Sequence, residues 1–240
     1  MMARMRGVVA VFGGNLEEPP VLELAAAVGV AVAESGALLL TGGRHDAGRS
    51  HVKDAAMAAA ATVPTSRLLG VLPETGVPTP VERIGRSGRA VYVRTGLGDA
   101  RNVVNGYACD GAIVLPGGPG TISEVLYSVH AGRPVVQIGW DGKRLRQRLL
   151  RSRTALIAVL EEGTARFPTA LLPTIGEAEQ LVGGGTLETV RSPEDAIAHL
   201  ADFAAEGRSR EAVELLESNG HAALGTQLAE IMAELGVIGP

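Results

Sequence analysis

The stretch Val93–Val136, VRTGLGDARNVVNGYACDGAIVLPGGPGTISEVLYSVHAGRPVV, decides how the rest of this chain is read. Within it the apolar run Gly111–Leu115 meets Pro116-Gly117-Gly118-Pro119-Gly120, and a helical pattern from about Thr121 to Ala131 follows. A short apolar run, a glycine turn and an amphipathic segment are the signature of a buried strand delivering the chain to a helix. The same unit recurs upstream. Gly7–Phe12 is broken by Gly13-Gly14 and followed by an alanine-rich pattern from about Pro20 to Ser35; Ala37–Thr41 is broken by Gly42-Gly43 and followed by one around His51–Ala61. Leu68–Leu72, Ala90–Val93 and Pro134–Ile138 are further expected strands, and Gly98–Ala108 a further helix. Several of these runs are apolar throughout, as strands buried on both faces are. Strands alternating with helices predict an α/β fold with a doubly wound parallel sheet.

Sheets of this kind bind ligands beyond the carboxyl ends of their strands, where all three glycine turns fall, so the turns are expected to converge on one crevice. The turn at Pro116–Gly120 presents backbone amides without side-chain obstruction, and the free N–H groups of the helix after it favour an anion, most naturally a phosphate. Gly13, Gly14, Gly42, Gly43, Gly117, Gly118, Gly120 and Thr121 are the candidate phosphate- or nucleotide-binding residues. Glu124 lies one turn into the helix, where it is able to face a sugar attached to the phosphate. A second reading is open for it: Thr121-Ile122-Ser123-Glu124 is T-x-x-E, a capping box that would serve only the helix end. No G-x-G-x-x-G follows the first strand and no G-x-x-x-x-G-K-[ST] occurs, which argues against ordinary NAD binding and P-loop hydrolysis.

The chain has 240 residues, 46% of them hydrophobic and 20% charged, enough for one compact body plus an appendage. The expected division is residues 1–206 as the nucleotide-binding domain, loop-rich at about 163–186, and 207–240 as a C-terminal helical appendage. Ser192-Pro193-Glu194-Asp195 marks a helix start. Ser209–Leu235 predicts one or two amphipathic helices. Six basic residues against one acid between Asp141 and Arg153 suggest a solvated helix face or oligomer rim, or else an electropositive wall.

With 22 basic against 26 acidic residues the net charge is −4, which opposes a general nucleic-acid binder. Seven aromatics (three Phe, one Trp, three Tyr) supply little for base stacking. The one cysteine, Cys109, makes no internal disulfide and suits a reducing cytoplasm. No apolar run approaches the roughly 18 residues of a membrane span. His45, Asp46 and His51 lack the three- or four-residue helical spacing of metal ligands, so no metal is expected. The Arg44–Ser50 loop is expected to frame the crevice or to be exposed.

Pro116–Glu124 reproduces PGGxGTxxE in full, and that motif, with Arg101 at the spacing of the upstream arginine and Asp110 before the strand, resembles the Lonely Guy superfamily, formerly mislabelled as lysine decarboxylases. The likeness covers about residues 7–138. It implies a Rossmann-like fold and a cytoplasmic homodimer or larger oligomer acting on a small phosphorylated molecule, with neither nucleic acid nor membrane as partner and no cofactor required. The best-known activity in the superfamily is hydrolysis of the N-glycosidic bond of nucleoside 5′-monophosphates, including cytokinin ones, to free base and ribose 5-phosphate. Carried over, it makes Arg101 and Glu124 the catalytic pair. The carboxylate would stabilise a ribosyl cation-like state or activate water.

The phosphoribohydrolases usually have Arg-Lys where this chain has Arg101-Asn102, and GGGxxGLMG where it has Gly42-Gly43-Arg44-His45-Asp46-Ala47-Gly48. Thr95–Asn102, TGLGDARN, is more similar to a sister branch near the molybdenum-cofactor carrier proteins, which hold a phosphorylated pterin in the same crevice. That alternative implies a non-catalytic carrier or sensor, with molybdenum cofactor as its ligand and Asn102 and Arg44 as additional binding residues. A regulatory sensor whose Ser209–Leu235 helices engage a partner is the third expectation.

Overall fold

The computed structural model describes residues 5, 7–46, 49–80, 88–138, 187–203 and 207–238. Its elements run β1 (Val8–Phe12), α1 (Pro19–Ser35), β2 (Leu38–Thr41), β3 (Arg44–His45), α2 (Val52–Ala60), β4 (Arg67–Leu72), β5 (Val77–Pro78) and β6 (Arg89–Arg94). A 3-10 turn at Gly98–Ala100 leads into α3 (Arg101–Tyr107), followed by β7 (Gly111–Val114), α4 (Pro119–His130), β8 (Val135–Gln137), β9 (Leu187–Thr189) and α5 (Pro193–Phe203). A second 3-10 turn at Arg208–Arg210 precedes α6 (Glu211–Ser218) and α7 (Ala222–Glu234).

Among the described residues the main sheet has seven strands in the order β6-β4-β2-β1-β7-β8-β9. Every neighbouring pair is parallel, with Val9 opposite Leu39 and Ala10 opposite Ala112. The fold is therefore the expected doubly wound, Rossmann-like α/β sheet. Strand order reverses between β1 and β7, and such a switch point opens a crevice at the carboxyl ends of the two strands.

Alternate residues of each strand feed opposite cores. Val8, Ala10, Phe12, Leu40, Ala112 and Val114 join residues of α3 and α4 on one face; Val9, Val11, Leu39 and Ile113 join those of α1, α2 and α5 on the other. Because both faces are covered, β1 carries no polar residue: all five of its residues are buried. The C-terminal helices belong to the first core, where Ala212, Leu216, Leu228 and Met232 pack with the strand residues.

Ser192 caps α5 as expected, its Oγ accepting the Asp195 N–H at 3.1 Å. Ser209–Leu235 divides into two helices. Four elements depart from expectation. The helix after the Gly111–Leu115 run starts at Pro119, two residues earlier than anticipated, with proline at the first helical position. β9 joins the sheet edge, and β3 and β5 form a separate two-stranded antiparallel ribbon. The basic stretch between Asp141 and Arg153 and the segment at about 163–186 lie outside the described residues.

Candidate functional site

At the switch point lies a cavity of ≈ 350 Å³, lined by residues that include Gly13, Gly14, Asn15, Gly42, Arg44, Lys53, Arg101, Asn102, Gly118, Gly120, Thr121 and Glu124. The three glycine turns do converge on it. Gly43 and Gly117 do not line it, and their surroundings explain why glycine stands there. Gly43 holds φ at 61°, with the Gly70 backbone where a Cβ would go. A Cβ on Gly117 would overlap the Thr121 side chain and come within 2.7 Å of the Gly14 nitrogen.

Gly118 and Gly120 are different. A Cβ on Gly118 meets nothing within 4 Å, and one on Gly120 meets only the Asn102 amide at 3.8 Å. Gly118 is the N-cap of α4, extended at φ −98° and ψ −159°, a conformation open to any residue, and it makes no side-chain cap bond. Neither packing nor backbone strain calls for glycine at these two places. The unfilled space fronts the first N–H groups of a twelve-residue helix, which have no intrahelical acceptor.

Glu124 is no capping residue. Position 121 is already inside the helix, so the T-x-x-E spacing falls out of phase with the true cap at Gly118. Its carboxyl is buried and accepts a hydrogen bond at Oε1 from Asn105 Nδ2 at 2.7 Å. Burial raises its pKa above the ordinary carboxylate value, while Arg101, the Asn105 amide and Lys53 pull the other way. Arg101 donates from Nη1 to the Gly42 and Val71 carbonyls at 2.9 and 2.8 Å. Burial lowers its pKa, opposed by Glu124 and Asp99. The expected pair thus shares one cavity, with the guanidinium braced across the ends of β2 and β4. Asn102 donates to Ser123 Oγ at 2.8 Å, tying α3 to the first turn of α4.

A raised carboxyl pKa has a definite sign in stability. Glu124 holds its proton more tightly folded than unfolded, so its stabilising contribution is full below the unfolded pKa and disappears as pH rises through the folded value. Glu124→Gln keeps an oxygen for Asn105 and removes the buried charge. The variant is expected to be more stable than wild type at pH 7 by about 1–2 kcal/mol, a gain typical where a functional group is strained. The gap should close near pH 4. Urea unfolding at the two pH values checks this, and equal stability at pH 7 would contradict it.

His45 belongs to β3, and His51 precedes α2 with its Nδ1 3.7 Å from Asp46 Oδ2. Asp54, buried on α2, accepts the His51 N–H at 3.0 Å and the Thr79 hydroxyl at 2.8 Å, with His45 Nδ1 at 3.2 Å. Tyr92 donates to the Thr79 carbonyl at 2.6 Å. Among the described residues, no group of three or more His, Cys, Asp or Glu side chains is arranged to hold a metal ion. Cys109 is fully buried, and burial pushes its thiol up to about 12, which leaves it inert as a nucleophile. Asp110, placed by the sequence motif, is a staple: its oxygens accept the Val8 and Ser209 N–H groups at 2.7 and 3.0 Å.

Among the polar cavity residues Asp99 was not anticipated, nor were Lys53 and Asn15. Lys53 and Asn15 are 38 positions apart, and the Lys53 ammonium donates to Asn15 Oδ1 at 2.9 Å. Asn105 was also missed, since it meets Glu124 only because α3 packs on α4.

A parallel sheet with glycine turns and a helix N-terminus around a polar switch-point cavity defines a Rossmann-like protein. Residues 6–165 match the model of the SLOG cluster4 family, and the chain belongs to that family, part of the LOG-like superfamily. No curated protein matches it. Among solved structures it is similar to a molybdenum cofactor binding protein from the phototrophic bacterium Rippkaea orientalis, at 24% identity and TM-score 0.54 over 82% of this chain and 97% of that one. The molybdenum cofactor carrier protein MCP from Chlamydomonas reinhardtii aligns at 22% identity and TM-score 0.55, over 83% and 98%. The structure of TM1055 aligns at 19% identity and TM-score 0.56, over 82% and 99%. These likenesses establish the fold. Among the described residues no helix is long and apolar enough to cross a membrane.

Proposed function

We propose that this protein binds a phosphorylated, polar heterocycle as a carrier, with the phosphate seated on the N-terminus of α4 and molybdenum cofactor as the leading ligand. The observation that carries this is the empty space in front of Gly118 and Gly120, two glycines without a packing reason, beside amides that lack acceptors. The cavity lining supports the ligand class. Apart from Val11 and Pro119, its residues among those described are glycine or polar, and none is aromatic. Such a wall suits a ring rich in donors and acceptors and offers no seat for the isoprenoid tail of a cytokinin nucleotide. The two molybdenum-cofactor proteins of similar fold point the same way, as does Asn102 in place of the lysine usual in the hydrolases. The protein is taken to act in the cytoplasm as a homodimer or larger oligomer. Anaerobic purification followed by pterin fluorescence and metal analysis tests the proposal: bound pterin at near one per chain is expected, and a preparation reconstituted with molybdenum cofactor that retains none overturns it.

Hydrolysis is the second reading, favoured by one specific observation, the Glu124 carboxyl buried at the cavity wall beside Arg101. An ionised Glu124 would stabilise positive charge at the anomeric carbon or take a proton from water, and Arg101 would hold the departing base. General-base catalysis contributes about 10²–10⁴-fold. On this reading wild type releases adenine from AMP at least about 100-fold faster than Glu124→Gln. Equal rates would leave binding alone.

A further inference from the structure

We propose that Lys53 is the specificity-determining residue of this cavity, selecting ligands that carry a phosphate over the same molecules without one. The inference rests on the proposed seating of a phosphate at α4. Lys53 is the second residue of α2 and lines the cavity with Gly118, Gly120 and Thr121. The turn after β1 brings them together. Gly13 lies against the Val52 side chain, Gly14 donates to the Pro116 carbonyl at 3.0 Å, and Asn15 accepts from Lys53. The first turns of α2 and α4 therefore bracket one short loop.

The other lining cations are each partly engaged, and each keeps some of its five donors. Arg44 pairs with Asp46 at 3.1 Å, and Arg101 spends Nη1 on two carbonyls beside Glu124. An ammonium has three donors, and Asn15 takes one of them. Burial lowers the Lys53 pKa, only partly offset by Asp54, Asp46 and Glu124, with Arg101 lowering it further. A partly desolvated cation with two donors left over and an anion seat across the loop is suited to a phosphate dianion. An uncharged hydroxyl in the same place gains far less from it.

Calorimetric titration of the full chain with AMP, inorganic phosphate and adenosine tests this, using wild type, Lys53→Met and Lys53→Arg. For Lys53→Met the affinity for AMP and phosphate is expected to fall roughly 10- to 100-fold, the span of one charge-assisted hydrogen bond. Adenosine affinity should change less than about threefold, and Lys53→Arg should retain most of the discrimination. Equal losses for AMP and adenosine would make Lys53 a mere tether for Asn15 and overturn the inference, as would no loss at all. If wild type binds neither AMP nor phosphate, the seat at α4 is itself wrong and the inference falls with it. If wild type binds them and Lys53→Met binds as well, only the role of Lys53 is lost.

Discussion

Gly118→Asp is expected to abolish ligand binding while leaving the fold intact. The residue is the N-cap of α4, its backbone is extended, and a Cβ there meets nothing within 4 Å. Aspartate is among the preferred N-cap residues, and replacing glycine by it changes helix stability by only a few tenths of a kcal/mol, in its favour. The new carboxylate would accept the N–H groups proposed to hold the phosphate, filling the seat with the protein's own anion. Like charges brought together at a binding site cost several kcal/mol, so affinity for AMP or a phosphorylated pterin should drop about 100-fold or more. The melting temperature should stay the same or rise slightly. Gly118→Ala supplies the control, adding a methyl group without charge, and should bind far better than the aspartate variant. Gly117→Ala should behave in the opposite way. Its Cβ has no room beside Thr121 and Gly14, so it perturbs the fold itself. Unaltered binding by Gly118→Asp would show that the phosphate does not sit on α4.

The contrast between positions 117 and 118 also marks how far the sequence could be read. Strand, turn and helix were legible wherever the signal is local. Val8–Phe12 is apolar without alternation because both faces of β1 are covered, and Ser192-Pro193 announces α5 within four residues. The convergence of the glycine turns followed from topology alone. What escaped depends on contacts across the chain. β9 is three residues long and becomes a strand only by lying beside β8, some fifty positions earlier. The ribbon of β3 and β5 pairs two residues with two others about thirty apart. T-x-x-E at Thr121–Glu124 suggested a cap, although proline at 119 already signalled an earlier start, and the spacing of a motif cannot show its phase on the helix. Asn105, Lys53 and Asn15 are ordinary polar residues until α3 packs on α4 and the turn after β1 comes beside α2.

Arg133 is the largest case of the same kind, and its removal should cost the fold more than any surface change. In sequence it stands between Gly132 and Pro134 and looks like part of a turn. In the structure its side chain is wholly buried. Nη1 donates to the Ala131 carbonyl at 2.8 Å, and Nη2 donates to those of Tyr107 and Arg208 at 3.0 and 2.8 Å. The Glu211 carboxylate lies 3.1 Å from Nη2. Tyr107 ends α3 and Ala131 follows α4, so two of these carbonyls belong to helix ends, where intrahelical donors run out and the dipole favours a cation. The other two partners begin the C-terminal helices. One guanidinium therefore joins the base of the site-bearing helices to α6, and Asp110 reinforces the joint by accepting the Ser209 N–H. Arg133→Met fills similar volume but takes the donor from three carbonyls, while Glu211, half-exposed, keeps Arg208 at 3.4 Å. Carbonyls left without a donor cost about 1–3 kcal/mol each, so a loss of about 3–5 kcal/mol is expected, a large share of the roughly 5–15 kcal/mol that keeps a protein folded. For a chain of this size each kcal/mol lowers the melting temperature by about 2–4 °C, so a fall of roughly 6–20 °C is expected. Arg133→Lys should recover only part of it, because a single ammonium cannot serve carbonyls arranged for a planar fork. Calorimetry of both variants checks the prediction, and a loss below about 1 kcal/mol, in the range of an exposed ion pair, would mean that water replaces the guanidinium without cost.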